Sequence, residues 1–199
     1  MLTLPSACLA WLADSSPTDY LGVIGIALSG AFVGWRYVKE KRIERSAAGN
    51  RMVAELETNE WLRLACQMLD WSARSFLLPE EILKRRIPKQ PGEAGPDEIL
   101  VHSSGKMLRA LMVKDGYDSD EVLYRDAFDA LLTWLDRMHA GLESGIFSER
   151  DVRPVSYYVQ AMFAPKHHGP EAAAAVTGFI RNYYDIDRFE LLRDRLDSR

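Results

Sequence analysis

The first 35 of the 199 residues contain no lysine or arginine, and their only charges are Asp14 and Asp19. All 25 basic residues lie from Arg36 onward. Over the whole chain the formal net charge is -4, which offers nucleic acid no general attraction, so no nucleic-acid partner is expected. Cysteine is scarce as well. Cys8 and Cys66 are the only two, and neither has a Cys or His at metal-ligand spacing. That excludes a disulfide scaffold and gives no reason to expect a metal or other cofactor. The phosphate-cradling G-x-x-x-x-G-K-[ST], the dinucleotide-binding G-x-G-x-x-G, the zinc-binding H-E-x-x-H and the nucleophile-elbow G-x-S-x-G are all missing. No spacing of Ser, His and Asp assembles a hydrolytic triad. An enzyme is therefore not the expectation.

What the N-terminal part does have is an uncharged apolar run, Tyr20 to Trp35, meeting Arg36 and then Tyr37-Val38. A bilayer-spanning helix takes roughly 17–25 residues, and residues 20–38 extend for about 28 Å at 1.5 Å per residue. Arg36 can be counted in, because its stem stays in lipid while its head reaches the interface. Tyr20, Trp35 and Tyr37 supply aromatic rings at the two ends, where headgroups favour them. Arg36, Lys39, Lys41, Arg42 and Arg45 follow the run, whereas only acidic charges precede it. Basic flanks stay on the cytoplasmic side, so residues 1–19 are expected outside an inner (plasma) membrane and residues 39–199 in the cytoplasm. A cleaved signal peptide would need positive charge before the apolar stretch. Residues 1–13, with Leu9, Trp11 and Leu12, suit a short interfacial segment. Within the run, Gly30 and Gly34 form a G-x-x-x-G, and Gly25 with Ser29 a second small pair. Such spacing lets two membrane helices approach closely, which makes this face a candidate for homo-oligomerisation.

Behind the run the chain reads as all-α, a small helical bundle. Trp61, Leu64, Ala65, Met68, Leu69, Ser72 and Phe76 recur on one helical face, on a helix expected to continue back toward the membrane unless Gly49-Asn50 breaks or kinks it, with Pro79 marking its end or the start of a short following helix. Residues 87–97 hold three prolines and two glycines and read as an irregular loop. A helix is expected over 97–113. The strongest helix is 119–143, with Tyr124, Ala127, Phe128, Leu131, Leu135, Met138 and Leu142 on one stripe, an Asp118/Glu121 cap and a stop at Gly145. Ser148 with Asp151 caps the next turn, Pro154 opens a helix to 163, and Pro170 opens another to about Tyr184. Asp187 is the expected cap of the last helix. No strand is expected.

The polar residues that stand out are Asp70, Arg74, Arg125, Asp129, Asp136 and His139, a candidate cluster rimming the helix interfaces. Asp70 and Arg74 are spaced for an i, i+4 ion pair. Asp136 and His139 have the acid-x-x-His spacing of di-iron bundles, but no second such motif occurs. Lys166-His167-His168-Gly169 reads as a surface turn, and Trp71 and Trp134 as core residues. The layout of Trp61 to Arg74, Tyr124-Arg125-Asp126-Ala127-Phe128 and Leu142-Glu143-Ser144-Gly145-Ile146-Phe147 resembles that of bacterial proteins of uncharacterised function with one N-terminal membrane helix and a small helical cytoplasmic domain. The resemblance implies that architecture and carries no catalytic residues.

The expected function is that of a membrane-anchored, non-enzymatic interaction or scaffold module. It would associate with the bilayer and a cytosolic protein partner, and with itself through the span. The alternative expectation is a membrane-perturbing effector or channel-forming subunit of a bacterial stress or defence system.

Overall fold

The computed structural model describes residues 17–85, 99–164 and 166–197, with side chains from Leu28 onward except that of Arg85. Its elements in chain order are α1 (Pro17–Thr58), α2 (Glu60–Asp70), β1 (Ala73–Leu77), α3 (Glu80–Arg85), β2 (Ile99–Ser103), α4 (Ser104–Leu111), α5 (Ser119–Glu143), α6 (Glu149–Val152), a 3-10 turn (Arg153–Val155), α7 (Ser156–Phe163), α8 (Pro170–Tyr183) and α9 (Ile186–Asp197). The chain divides into two compact units, Met1–Glu44 and Arg45–Arg199. The loop at 87–97, the segment 1–13 and Cys8 lie outside the described residues.

The first unit contains α1 up to Glu44. Among the described residues no helix is long and apolar enough to cross a membrane. The expected span at 20–38 is thus not met there as a span. Its first eight residues, Tyr20 to Ala27, have no described side chains. From Leu28 the helix carries large apolar side chains that touch little. Leu28, Phe32, Val33, Trp35, Tyr37 and Val38 are each between 59% and 66% exposed. At 100° per residue these six positions point around the whole circumference.

The second unit is built on α5. Its apolar stripe emerges as read from the sequence, with Tyr124, Ala127, Phe128, Leu131, Leu135, Met138 and Leu142 all buried. Asp118 accepts from the Glu121 amide at 2.8 Å while the Glu121 carboxylate accepts from the Asp118 amide at 3.0 Å, closing the capping box. Gly145 ends the helix region at φ 67°, a left-handed backbone that glycine adopts without a Cβ penalty. Around α5 pack α2, α4 and α9, with α7 bridging α2, α8 and α9. Full burial of each large apolar side chain in this core contributes about 1.5–3 kcal/mol.

Several local expectations change. Gly49-Asn50 does not interrupt α1, but the helix of Trp61 does not continue back toward the N-terminus, because α1 ends at Thr58 and the extended Asn59 caps a separate α2. Gly49 is required in α1 by packing, since a Cβ would come within 2.4 Å of the Asp151 Cβ. Helix α2 stops at Asp70, where Trp71 is extended at φ -129°, ψ 129°, so it does not reach Pro79, which instead stands at the start of the short helix α3. Phe76 therefore lies on a strand. β1 pairs antiparallel with β2, from Ala73 opposite Ser103 to Leu77 opposite Ile99, so the bundle carries a two-stranded sheet that was not expected. The helix expected over 97–113 splits into β2 and α4. Trp134 is buried, but Trp71 is 47% exposed. The last helix is capped by Asp185, which accepts from the Asp187 amide at 3.1 Å, and not by Asp187.

Candidate functional site

On α1, the residues expected to anchor the helix engage one another along its surface. Arg36 Nε donates to Glu40 Oε1 at 2.9 Å, so the guanidinium is drawn one turn toward the C-terminal end. The Lys39 ammonium lies 5.2 Å from the Trp35 ring centre and that of Lys41 lies 5.9 Å from Tyr37. Lys41 also pairs with Glu44 at 2.8 Å. Tyr20 and Gly25 have no described side-chain environment, Ser29 is exposed, and Gly30 and Gly34 face open space. Arg42 and Arg45 are exposed.

The six polar residues singled out in the second unit engage separate partners. Arg125 donates to the Ala110 carbonyl at 3.0 Å and lies 4.3 Å, 4.8 Å and 5.0 Å from the ring centres of Tyr117, Phe179 and Tyr183. That stacking ties α5 to α8. Asp129 accepts from the Tyr184 hydroxyl at 3.0 Å, and Asp136 pairs with Arg188 at 2.6 Å. His139 is buried, its Nδ1 3.6 Å from Glu143. The expected Asp70–Arg74 pair does not form, because α2 ends between them. Arg74 lies on β1 and stacks on Trp71 at 4.4 Å.

A different polar centre, which the sequence reading passed over, is organised where β2 crosses the end of α2. On β2 the inward positions are Leu100 and His102, both buried. His102 Nδ1 lies 2.8 Å from the Tyr124 hydroxyl on α5, and its Nε2 lies 2.6 Å from the Trp71 carbonyl. A carbonyl only accepts, so Nε2 carries the proton and Nδ1 accepts from the phenol. The histidine thus satisfies the carbonyl left open by the end of α2. Burial lowers the His102 pKa to about 4. The Trp71 carbonyl opposes that shift, and the nearby His168 and Lys106 add to it. Burial likewise raises the Tyr124 pKa above the phenol range. Next to this pair, Ser104 Oγ lies 2.8 Å from His168 Nδ1 and also donates to the Ser72 carbonyl at 3.2 Å. The turn His167-His168 is therefore split: His167 is exposed, while His168 is partly buried against Ser104. Burial also lowers the His168 pKa, against the pull of the Met68 and Leu69 carbonyls.

Beside this centre opens a cleft of about 460 Å³ lined by Asp70, Trp71, Ser72, Tyr157 and His167. Asp70 also borders a second cleft, of about 400 Å³, together with Cys66 and Tyr158. Burial, then the Asp70 charge, pushes the Cys66 thiol well above its ordinary pKa, so it remains a neutral thiol in the core. The phenol of Tyr157 is held above its usual pKa by a hydrogen bond to Asp70, then by burial. Among the described residues no group of three or more His, Cys, Asp or Glu side chains is placed to hold a metal ion. No known family model, curated protein or solved structure matches this chain.

Proposed function

We propose that the chain is a single-pass, membrane-anchored helical module whose second unit serves as a cytoplasmic interaction domain. The observation that carries this reading is the circumference of α1. A helix with exposed apolar side chains on every side has its stable environment in hydrocarbon. Leu28, Phe32, Val33, Trp35, Tyr37 and Val38 provide such a surface, and the sequence remains uncharged back to Tyr20. Arg36 supports the same placement, since its pairing with Glu40 carries the charge toward the basic flank and out of the apolar zone. The flank itself orients the helix with the N-terminus outside and the second unit in the cytoplasm.

The open faces of Gly30 and Gly34 support self-association through this helix. In detergent micelles, sedimentation of the full chain is expected to give a mass above that of the 22.6 kDa monomer. Gly30→Ile with Gly34→Ile should return it to the monomer, because the added side chains hold the backbones apart. A wild-type monomer across the accessible concentration range would remove self-association from the proposal.

A further inference from the structure

We propose that the free edge of β1 is a docking site for an extended acidic segment of a partner protein, which pairs with it as a third strand; the proposal rests on the reading of the second unit as an interaction domain. The sheet has two strands, so each leaves one edge unpaired. The ladder shows which backbone groups of β1 lie on that edge. The Ser104 amide donates to the Ser72 carbonyl at 2.8 Å, continuing the register in which Ala73 faces Ser103. Residues 72, 74 and 76 therefore direct their amides and carbonyls at β2, and Ala73, Ser75 and Leu77 direct theirs away from it. Those three residues are exposed, and no hydrogen bond to their outward backbone groups occurs among the described residues. Such an edge is a template for another strand.

A groove of about 240 Å³ runs along this edge. One wall is Glu60, Arg63, Leu64 and Gln67, spaced i, i+3, i+4 and i+7 on one stripe of α2. The other wall is β1 from Arg74 to Leu77, and no residue of β2 takes part. Successive residues of a strand alternate between the two faces of its sheet, so a wall drawn from both is the strand's edge. A second copy pairing β1 to β1 would have to seat its own α2 there too, whereas a single extended chain brings no helix. The charges select that chain. Arg63 pairs with Glu60, but Arg74 lies 4.4 Å from the Trp71 ring centre and has no carboxylate partner among the described residues. This cation, held by stacking, matches a carboxylate on the incoming strand. Leu77 is 75% exposed and lies on the opposite face from Arg74, so the complement alternates acidic and apolar residues.

Fluorescence anisotropy of a labelled Val-Glu-Val-Glu-Val-Glu peptide, titrated with the detergent-solubilised full chain, tests the assignment, with Val-Lys-Val-Lys-Val-Lys as charge control. Saturable binding of the acidic peptide, at least tenfold tighter than that of the lysine peptide, is expected. Two further acidic peptides carry N-methyl groups on alternate amides, one on the valines and one on the glutamates. Only one of these sets can face β1, so one methylated peptide should lose binding at least tenfold and the other should keep it. Ser75→Pro removes an outward N–H without touching the ladder and should weaken binding at least tenfold. Arg74→Gln should weaken the acidic peptide while leaving the backbone edge intact. Circular dichroism melts check both variants, and the Arg74→Gln comparison stands if Ser75→Pro does not fold. No saturable binding of the acidic peptide, equal binding of the lysine peptide, or equal affinity of the two methylated peptides would overturn the proposal. So would a fall in the sedimented mass of Ser75→Pro, which would give the edge to a second copy. Any of these results in a chain that still resists carbonate extraction from membranes overturns the docking site alone and leaves the anchor standing.

Discussion

His102 shows how one side chain joins three elements: its ring connects β2 to the carbonyl of Trp71, the residue that follows α2, and to Tyr124 on α5. Tyr124→Phe would leave Nδ1 buried without its donor, and a loss of about 1–3 kcal/mol in urea-unfolding free energy is expected. The same residue fixes a pH dependence. Its pKa is about 4 in the folded chain, below the ordinary histidine value of 6.5, so the unfolded chain takes up the proton first as pH falls. The stability it confers is complete above pH 6.5 and is lost progressively as the pH falls from 6.5 to 4. His168, shifted in the same direction, adds to the slope. Urea midpoints measured across that window should decline less steeply in His102→Gln than in wild type. An unchanged slope would show that His102 is not the group responsible. None of this was legible in the sequence, where His102 stood among poor helix formers. Its partner Tyr124 lies 22 residues away, and helical periodicity assigns that residue to a face without naming what its hydroxyl meets.

Among the elements, legibility follows length. Helix α5, 25 residues long, repeats its apolar stripe often enough to be read, and its capping box and glycine stop are local chemistry. The strands are five residues each and offer only one or two inward positions, too few to establish a period of two. The end of α2 at Asp70 has no proline or glycine to announce it; the extended Trp71 is imposed by pairing of the following strand, a tertiary cause. That one shift dissolved the Asp70–Arg74 pair and exposed Trp71, so the site could not be drawn from spacing. Two substitutions test the element-scale packing. Asp118→Ala removes the cap of α5 and should cost about 0.5–2 kcal/mol in chemical denaturation. Gly49→Ala improves helix propensity by about 1 kcal/mol, yet its Cβ meets the Asp151 Cβ at 2.4 Å. The collision dominates, and a net destabilisation of about 1–3 kcal/mol is expected.

At the scale of the whole molecule, the division of charge along the sequence matches a division of burial. The helical unit from Arg45 onward buries a core of apolar residues, while the described apolar side chains of α1 from Leu28 to Val38 are exposed. The proposed bilayer placement accounts for both facts, and for a cluster of cations that begins where the uncharged run ends. The most direct measurement is alkaline carbonate extraction of bacterial membranes containing the full chain, followed by flotation of the pellet on a density gradient. The protein is expected to resist extraction and to float with the lipid. Release of the folded protein into the carbonate supernatant would contradict the membrane anchor.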